Sequence, residues 1–161
     1  MAVLATCALG AVQIRSGGPT DALGAANVWL RSRRQAIPAI PAPIHTDDEV
    51  RAFFGEVVVP NRELYIAESA AGAVVGLMVL DRQWIDNLYL DPYWTGRGIG
   101  TCLVELAKRL RPGGLDLWTF QSNVGVRRFY VRLGFVVVEM TDGQRNEERA
   151  PGVHYQWAGE E

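Results

Sequence analysis

The apolar positions of this chain repeat with two periods, and the points where one period gives way to the other mark its elements. Residues 11–15 predict a short strand, and Gly17-Gly18-Pro19-Thr20-Asp21 opens a helix with Leu23, Ala26 and Leu30 on its apolar side and Asp21 in its first turn. Three prolines in residues 37–44 remove donors and bar helical backbone, so this stretch is an extended loop or arm. Thr46 to Glu49 form a capping box ahead of Val50, Phe53, Phe54, Val57 and Val58 at helical spacing, and Pro60 stops that helix. From Glu63 the period shortens. Residues 64–68 and 73–80, around a turn at Ala70-Ala71-Gly72, predict an antiparallel hairpin, and residues 84–90 a third strand. A helix follows with Ile99, Leu103, Leu106 and Leu110 on one face, then a strand over residues 115–120. Ser122 or Asn123 caps the next helix, which carries Val126, Phe129, Tyr130 and Leu133 and ends at Gly134. Residues 135–140 and 153–157 are the last strands, joined by a polar segment. This order predicts an α+β fold of about seven strands and about four helices, a mostly antiparallel sheet with one parallel pair where a helix crosses between strands.

Composition narrows the class. With 161 residues, 48% hydrophobic and 21% charged, the chain fits one domain over residues 1–161, with 1–10 as a loose leader before the first strand. A formal charge of −2 gives no footprint for nucleic acid, and no apolar run reaches the ~18 residues of a membrane span. The leader lacks the basic start of a secretory signal, so the cytoplasm is the expected compartment. Cys7 and Cys102 lie far apart and do not suggest a disulfide framework. His45 and His154 have no partner at ligand spacing, which argues against a metal site.

The chemistry concentrates at Asp91-Pro92-Tyr93-Trp94-Thr95-Gly96-Arg97-Gly98-Ile99-Gly100-Thr101, between a strand and a helix start. A glycine turn there leaves the first helical N–H groups free to bind phosphate, with Arg97 and the Thr101 hydroxyl in reach. The dinucleotide fingerprint fails at Leu103, and the Gly-Lys-Ser/Thr of the Walker loop is absent. The alternative is a turn that only lets a helix pack tightly on a strand.

The run from Trp84 to Gly100, followed by Asn123 and by Phe129-Tyr130-Val131-Arg132-Leu133-Gly134-Phe135, resembles the GNAT superfamily of acyl-CoA-dependent N-acyltransferases. Gly98 and Gly100 match that family's loop, while Thr95 stands where it carries Gln or Arg. The resemblance implies a splayed central parallel pair and acetyl-CoA as co-substrate, with no metal. It implies a pyrophosphate on the amides of Arg97, Gly98, Ile99, Gly100 and Thr101. Pantetheine would pair with the backbone of Leu88, Tyr89 and Leu90, with Asn123 and Tyr130 in contact. Arg127, Arg128 and Arg132 are candidates for the 3′-phosphate or, more ordinarily, a solvated helix face.

Acetyl transfer to a primary amine of pKa ~10.4 needs a proton acceptor, and the departing thiolate, of pKa ~8.5, needs a donor. Asp86 is the expected acceptor, with orientation of the amine as its alternative role; Glu68 stands a distant second. Tyr130 is the expected donor, with a core tyrosine as its alternative. A backbone N–H near Leu88 to Leu90 stabilises the oxyanion, a contribution of ~3 kcal/mol when preorganised. Cys102, between Ile99 and Leu106, reads as a small core residue rather than a nucleophile, so transfer is direct. The segments 37–44 and 142–152, with Glu147 and Glu148, flank the acceptor side in the resemblance and favour a small-molecule amine over a protein lysine. A peptide N-acetyltransferase and a non-catalytic acyl-CoA sensor are the alternatives. Tyr155 and Trp157 are the one hint of a homodimer surface.

Overall fold

The alternation that begins at Glu63 becomes a run of neighbouring antiparallel strands because tight turns leave each strand no other edge to pair with. The computed structural model describes residues 2–160. Its strands are β1 (Ala5–Cys7), β2 (Val12–Ser16), β3 (Glu63–Ser69), β4 (Val74–Asp81), β5 (Trp84–Leu90), β6 (Leu115–Phe120), β7 (Val136–Thr141) and β8 (Gly152–Trp157). They form one sheet in the order β1-β2-β3-β4-β5-β6-β8-β7. The helices are α1 (Ala22–Gln35), α2 (Asp47–Phe53), α3 (Ile99–Leu110) and α4 (Val124–Arg132). The α+β order and the single parallel pair, β5 with β6, are as the sequence predicts.

Each sheet face buries its own apolar set. Ala26, Val28 and Leu30 of α1 pack with Val50, Phe54 and Val58 on Ile66, Leu77 and Val79. On the other face Ile99, Leu103 and Leu106 of α3, with Tyr130 and Phe135, cover Met78, Leu80, Ile85 and Leu117. Leu23, expected on the apolar side of α1, is exposed, and Arg33 holds a buried place on that helix instead.

Three local expectations are met in detail. Asp21 accepts the Gly18 N–H at 2.9 Å at the start of α1. Thr46 and Glu49 make both bonds of a capping box, at 3.2 and 3.3 Å. After α4, Phe135 N–H donates to Tyr130 O and Gly134 N–H to Val131 O, each at 3.1 Å, with Gly134 at φ 90. Two others differ. Asn123 occupies the N-cap position of α4 but makes no side-chain cap bond. Pro60 does not stop the second helix: α2 widens into a π turn over Phe54–Val58, and Pro60 sits in the closing turn Val59–Asn61. A proline there costs little, because it falls in the first positions of that short turn, where a missing N–H is tolerated.

The N-terminal stretch is no loose leader. Ala5 to Cys7 pair antiparallel with Ile14 to Val12, which adds an eighth strand, and Cys7 is disulfide-bonded to Cys102 on α3. The two Cα atoms are 6.4 Å apart across a sequence separation of 95, a distance in sequence that hid the pairing. Closing a loop of that length contributes about 2–5 kcal/mol. No helix of the described residues is long and apolar enough to cross a membrane.

Candidate active site

The central parallel pair opens almost as soon as it forms. Trp84 of β5 faces Asp116 of β6 in a single bridge, supported by Asp116 N–H donating to Gln83 O at 2.9 Å. Beyond it the strands diverge, and the β5 edge of Leu88 to Leu90 that faces β6 carries no ladder. A register shift between Val79 and Leu80 leaves Asp86 as the extra residue of a β-bulge. The bulge turns Asn87 and Tyr89 toward α1, where Asn87 accepts the Trp29 indole N–H at 3.1 Å, and leaves Ile85, Leu88 and Leu90 on the α3 face.

A cavity of about 640 Å³ fills the opening. Its floor and walls include Asp86, Leu88, Tyr89, Leu90, Trp118 and Phe120, and the glycine turn with Gly98, Ile99, Gly100 and Thr101 closes one end. Asn123 and Tyr130 also line it, so the expected binding residues from β5, the turn and α4 converge here. The turn is built as the chemistry of anion binding demands. Gly98 is the N-cap of α3 at φ 82, a conformation that favours glycine, and its own Cβ-free position leaves the turn open to solvent. At Gly100 a Cβ would lie 3.2 Å from the Phe129 ring, so the helix start and α4 approach as closely as they do only because glycine is there. The free amides at this helix start therefore face the cavity with nothing between. Arg97, alone among the expected residues of the turn, does not line the cavity: its guanidinium lies 4.5 Å over the Trp94 ring and donates to Tyr93 O at 3.3 Å.

The proposed acid and base sit in contrasting surroundings. Tyr130 is 6% exposed, packed edge-on against Phe129 and Phe135. Burial, with the neighbouring Tyr89 adding to it, pushes its phenol well above the ordinary tyrosine range, so the hydroxyl keeps its proton. Asp86 opens on the cavity and binds Arg62 through Oδ2. Desolvation raises its carboxyl above the usual range, the Arg62 charge opposes the rise, and Asp81 adds to it. Glu68 lies elsewhere, ion-paired to Arg15 at 2.6 Å. Cys102, in its disulfide, has no thiol.

Several contributors lay beyond sequence reasoning. Ala36, the C-cap of α1, and Ile40, in the proline-containing stretch, line the cavity, and Arg33 donates to Pro41 O at 3.2 Å. His45 touches Glu49 and Glu147, at 3.1 Å each, so this stretch and the polar segment after β7 meet. Glu147 makes this contact through Oε2 while its side chain stays largely exposed. On β6 and β8, His154 stacks between Trp84 and Trp118 with ring centroids at 5.0 and 5.1 Å and bonds Asp116 at 2.7 Å. Of the arginines on α4, Arg132 lines the cavity, while Arg127 is held by the Tyr155 hydroxyl and Gln121 O. Tyr155 is 1% exposed and offers no docking surface; the exposed apolar strip runs instead along β7 through Val136, Val137, Val138 and Met140. Among the described residues no cluster of His, Cys, Asp and Glu is placed to hold a metal ion.

Comparison with known proteins agrees with this geometry. The acetyltransferase (GNAT) domain family matches residues 60–137. The peptidyl-lysine N-acetyltransferase YjaB of Escherichia coli is 32% identical over 112 residues, covering 68% of this chain and 72% of that protein. Its Salmonella typhimurium counterpart is 37% identical over 78 residues, 48% of this chain and 53% of that one. A further curated relative, the uncharacterized N-acetyltransferase MJ1207 of Methanocaldococcus jannaschii, is matched over 38% of its length. The solution structure of apo YjaB from Escherichia coli superposes with a TM-score of 0.77 at 26% identity, covering 92% of this chain and 99% of that one. With the splayed pair, the bulge and the glycine turn in their places, the chain belongs to the GNAT family of acetyltransferases.

Proposed function

We propose that the chain transfers the acetyl group of acetyl-CoA directly to the primary amine of a small molecule. The observation that carries this reading is the single bridge between β5 and β6, which opens a cavity running from the free amides of the glycine turn to the carboxyl of Asp86. Acetyl-CoA supplies the thioester. The amides of Arg97 to Thr101 hold the pyrophosphate, the unladdered edge of Leu88 to Leu90 pairs with the pantetheine, and Asn123 contacts the same arm. Asp86 takes a proton from the ammonium group, directly or through water, and freed amine attacks the acyl carbon. A backbone N–H of the Leu88 to Leu90 stretch stabilises the oxyanion. As the carbon–sulfur bond breaks, Tyr130 protonates the thiolate and is restored by the second proton of the amine, so one proton leaves to solvent overall.

The acceptor class rests on enclosure. Ala36 and Ile40 form part of the cavity wall, and the contact of His45 with Glu147 spans the two segments that flank it, which favours a small acceptor over a protein tail. The second reading, acetylation of peptidyl lysine, is favoured by the names of the two YjaB relatives. A comparison of kcat/KM for a panel of small primary amines against lysine-containing peptides separates them. We expect the best small amine to exceed the best peptide by about tenfold or more, a difference of about 1.4 kcal/mol in transition-state binding. A peptide ahead by that margin rejects the small-acceptor reading.

A further inference from the structure

Three of the buried charged residues differ in how their charge is met. Asp21 is paired with Arg15 at 2.9 Å and Asp91 with Arg31 at 2.8 Å. Arg33, 4% exposed on the last turns of α1, has no carboxylate within ion-pair distance among the described residues. Its Cζ lies 4.8 Å from the Trp29 ring and 5.7 Å from the Phe120 ring, and one Nη donates to Pro41 O at 3.2 Å. Its Nε is buried without any hydrogen-bond partner, the sole such side-chain atom among the described residues. Two aromatic faces, one carbonyl and the neighbouring Tyr89 phenol are partial compensation for a desolvated guanidinium, and its Nε is left for something else to complete.

The position says where that something comes from. Arg33 stands one side chain behind the cavity wall: Phe120, against which the guanidinium packs, lines the cavity, as do Ser32 and Ala36 on either side of Arg33 in the chain and Ile40 beside its carbonyl partner, while Arg33 itself does not. The Tyr89 phenol, also on the cavity wall, lies beside the same guanidinium and is kept protonated by burial. The N–H donors of a guanidinium that remain unused, next to a neutral O–H donor and shielded by aromatic rings, suit a carboxylate in charge and in donor chemistry. Glu148 is an internal rival: its charge helps raise the Tyr89 phenol, yet it makes no ion pair with Arg33.

We propose that Arg33, with the Tyr89 hydroxyl, is the anchor for a carboxylate on the acceptor, so that the amine acetylated here belongs to an amino acid or a close amino-acid analogue. This rests on the small-acceptor reading above and names its substrate class. The anchor lies on the α1 side of the sheet, apart from the glycine turn, so acceptor and pyrophosphate are held by different groups.

Binding tests the anchor without requiring turnover. A panel of N-acetyl-L-amino acids and the corresponding N-acetyl-L-amino-acid amides is titrated into the full chain, with and without CoA, and read by thermal shift and calorimetry. We expect one or more of the acids to bind at least tenfold more tightly than the matching amides. Arg33→Met removes that preference while the stabilisation by CoA stays at the wild-type level, and Arg33→Lys restores part of it. Glu148→Gln leaves the preference intact. Equal binding of acids and amides to the wild-type chain overturns the proposal, as does an acid preference that survives Arg33→Met. Loss of carboxylate binding in Glu148→Gln also counts against it. A wild-type chain that ignores CoA instead tells against the acetyl-transfer reading, and the titration without CoA still decides for or against Arg33.

Discussion

At the scale of single residues, the proposed chemistry turns on two groups in different surroundings. Tyr130 is walled in by Phe129, Phe135 and Tyr155, and burial holds its proton on, so the phenol is neutral when a thiolate forms beside it, at the cost of a weaker acid. Asp86 is the extra residue of a bulge and faces the cavity with one oxygen on Arg62, which orients the carboxylate without closing it off. If these are the proton donor and acceptor, Tyr130→Phe and Asp86→Asn each lower kcat by ~10²-fold or more, within the range of general acid–base catalysis, while acetyl-CoA affinity changes by less than about threefold. Steady-state kinetics paired with calorimetric titration of acetyl-CoA checks both numbers. Wild-type turnover in the two variants would assign the proton transfers to solvent.

At the scale of elements, what the sequence reveals depends on how local the cause is. The capping box at Thr46, the helix end at Gly134 and the glycine turn before α3 are written within a few neighbouring residues, and each is legible on that account. Arg33 is not, because its place becomes visible only when Phe120 and Pro41 arrive from other parts of the chain; a charge four residues after Trp29 and three after Leu30, on a helix with an apolar face, was the available signal. The disulfide and β1 escaped for the same reason, and the stacking of the Arg97 guanidinium on a nearby tryptophan was also unforeseen. The meeting of the proline-containing stretch with the segment after β7 was foreseen as an enclosure, but its agent, His45, was not. Glu49 and Glu147 both raise the pKa of this exposed imidazole, so the clasp is held by charge below the ordinary 6.5 and is lost as pH rises through the raised value. Acceptance of peptides relative to small amines is therefore expected to increase with pH over that window, and His45→Gln to flatten the ratio at its high-pH level. A ratio that does not move with pH in the wild-type chain would show that the clasp does not limit access.

At the scale of the whole molecule, one topological event organises the rest. A sheet that is antiparallel elsewhere has its parallel pair at β5 and β6, joined by a single bridge, and α3 begins where β5 ends, so the free amides of a helix start meet an unladdered strand edge. The disulfide between β1 and α3 fastens that helix to the far edge of the sheet, and the core on both faces fixes the strands that diverge. On the proposed reading the cofactor site is a property of the backbone, and its turn depends on the positive φ of Gly98 and on the close approach of Phe129 at Gly100. Hydrogen exchange of backbone amides, measured with and without acetyl-CoA, reads that property directly. The account predicts that acetyl-CoA slows exchange across Arg97 to Thr101 and along Leu88 to Leu90, and that Gly100→Val abolishes both effects in a chain that remains folded; protection confined to other segments, or undiminished in Gly100→Val, would contradict it.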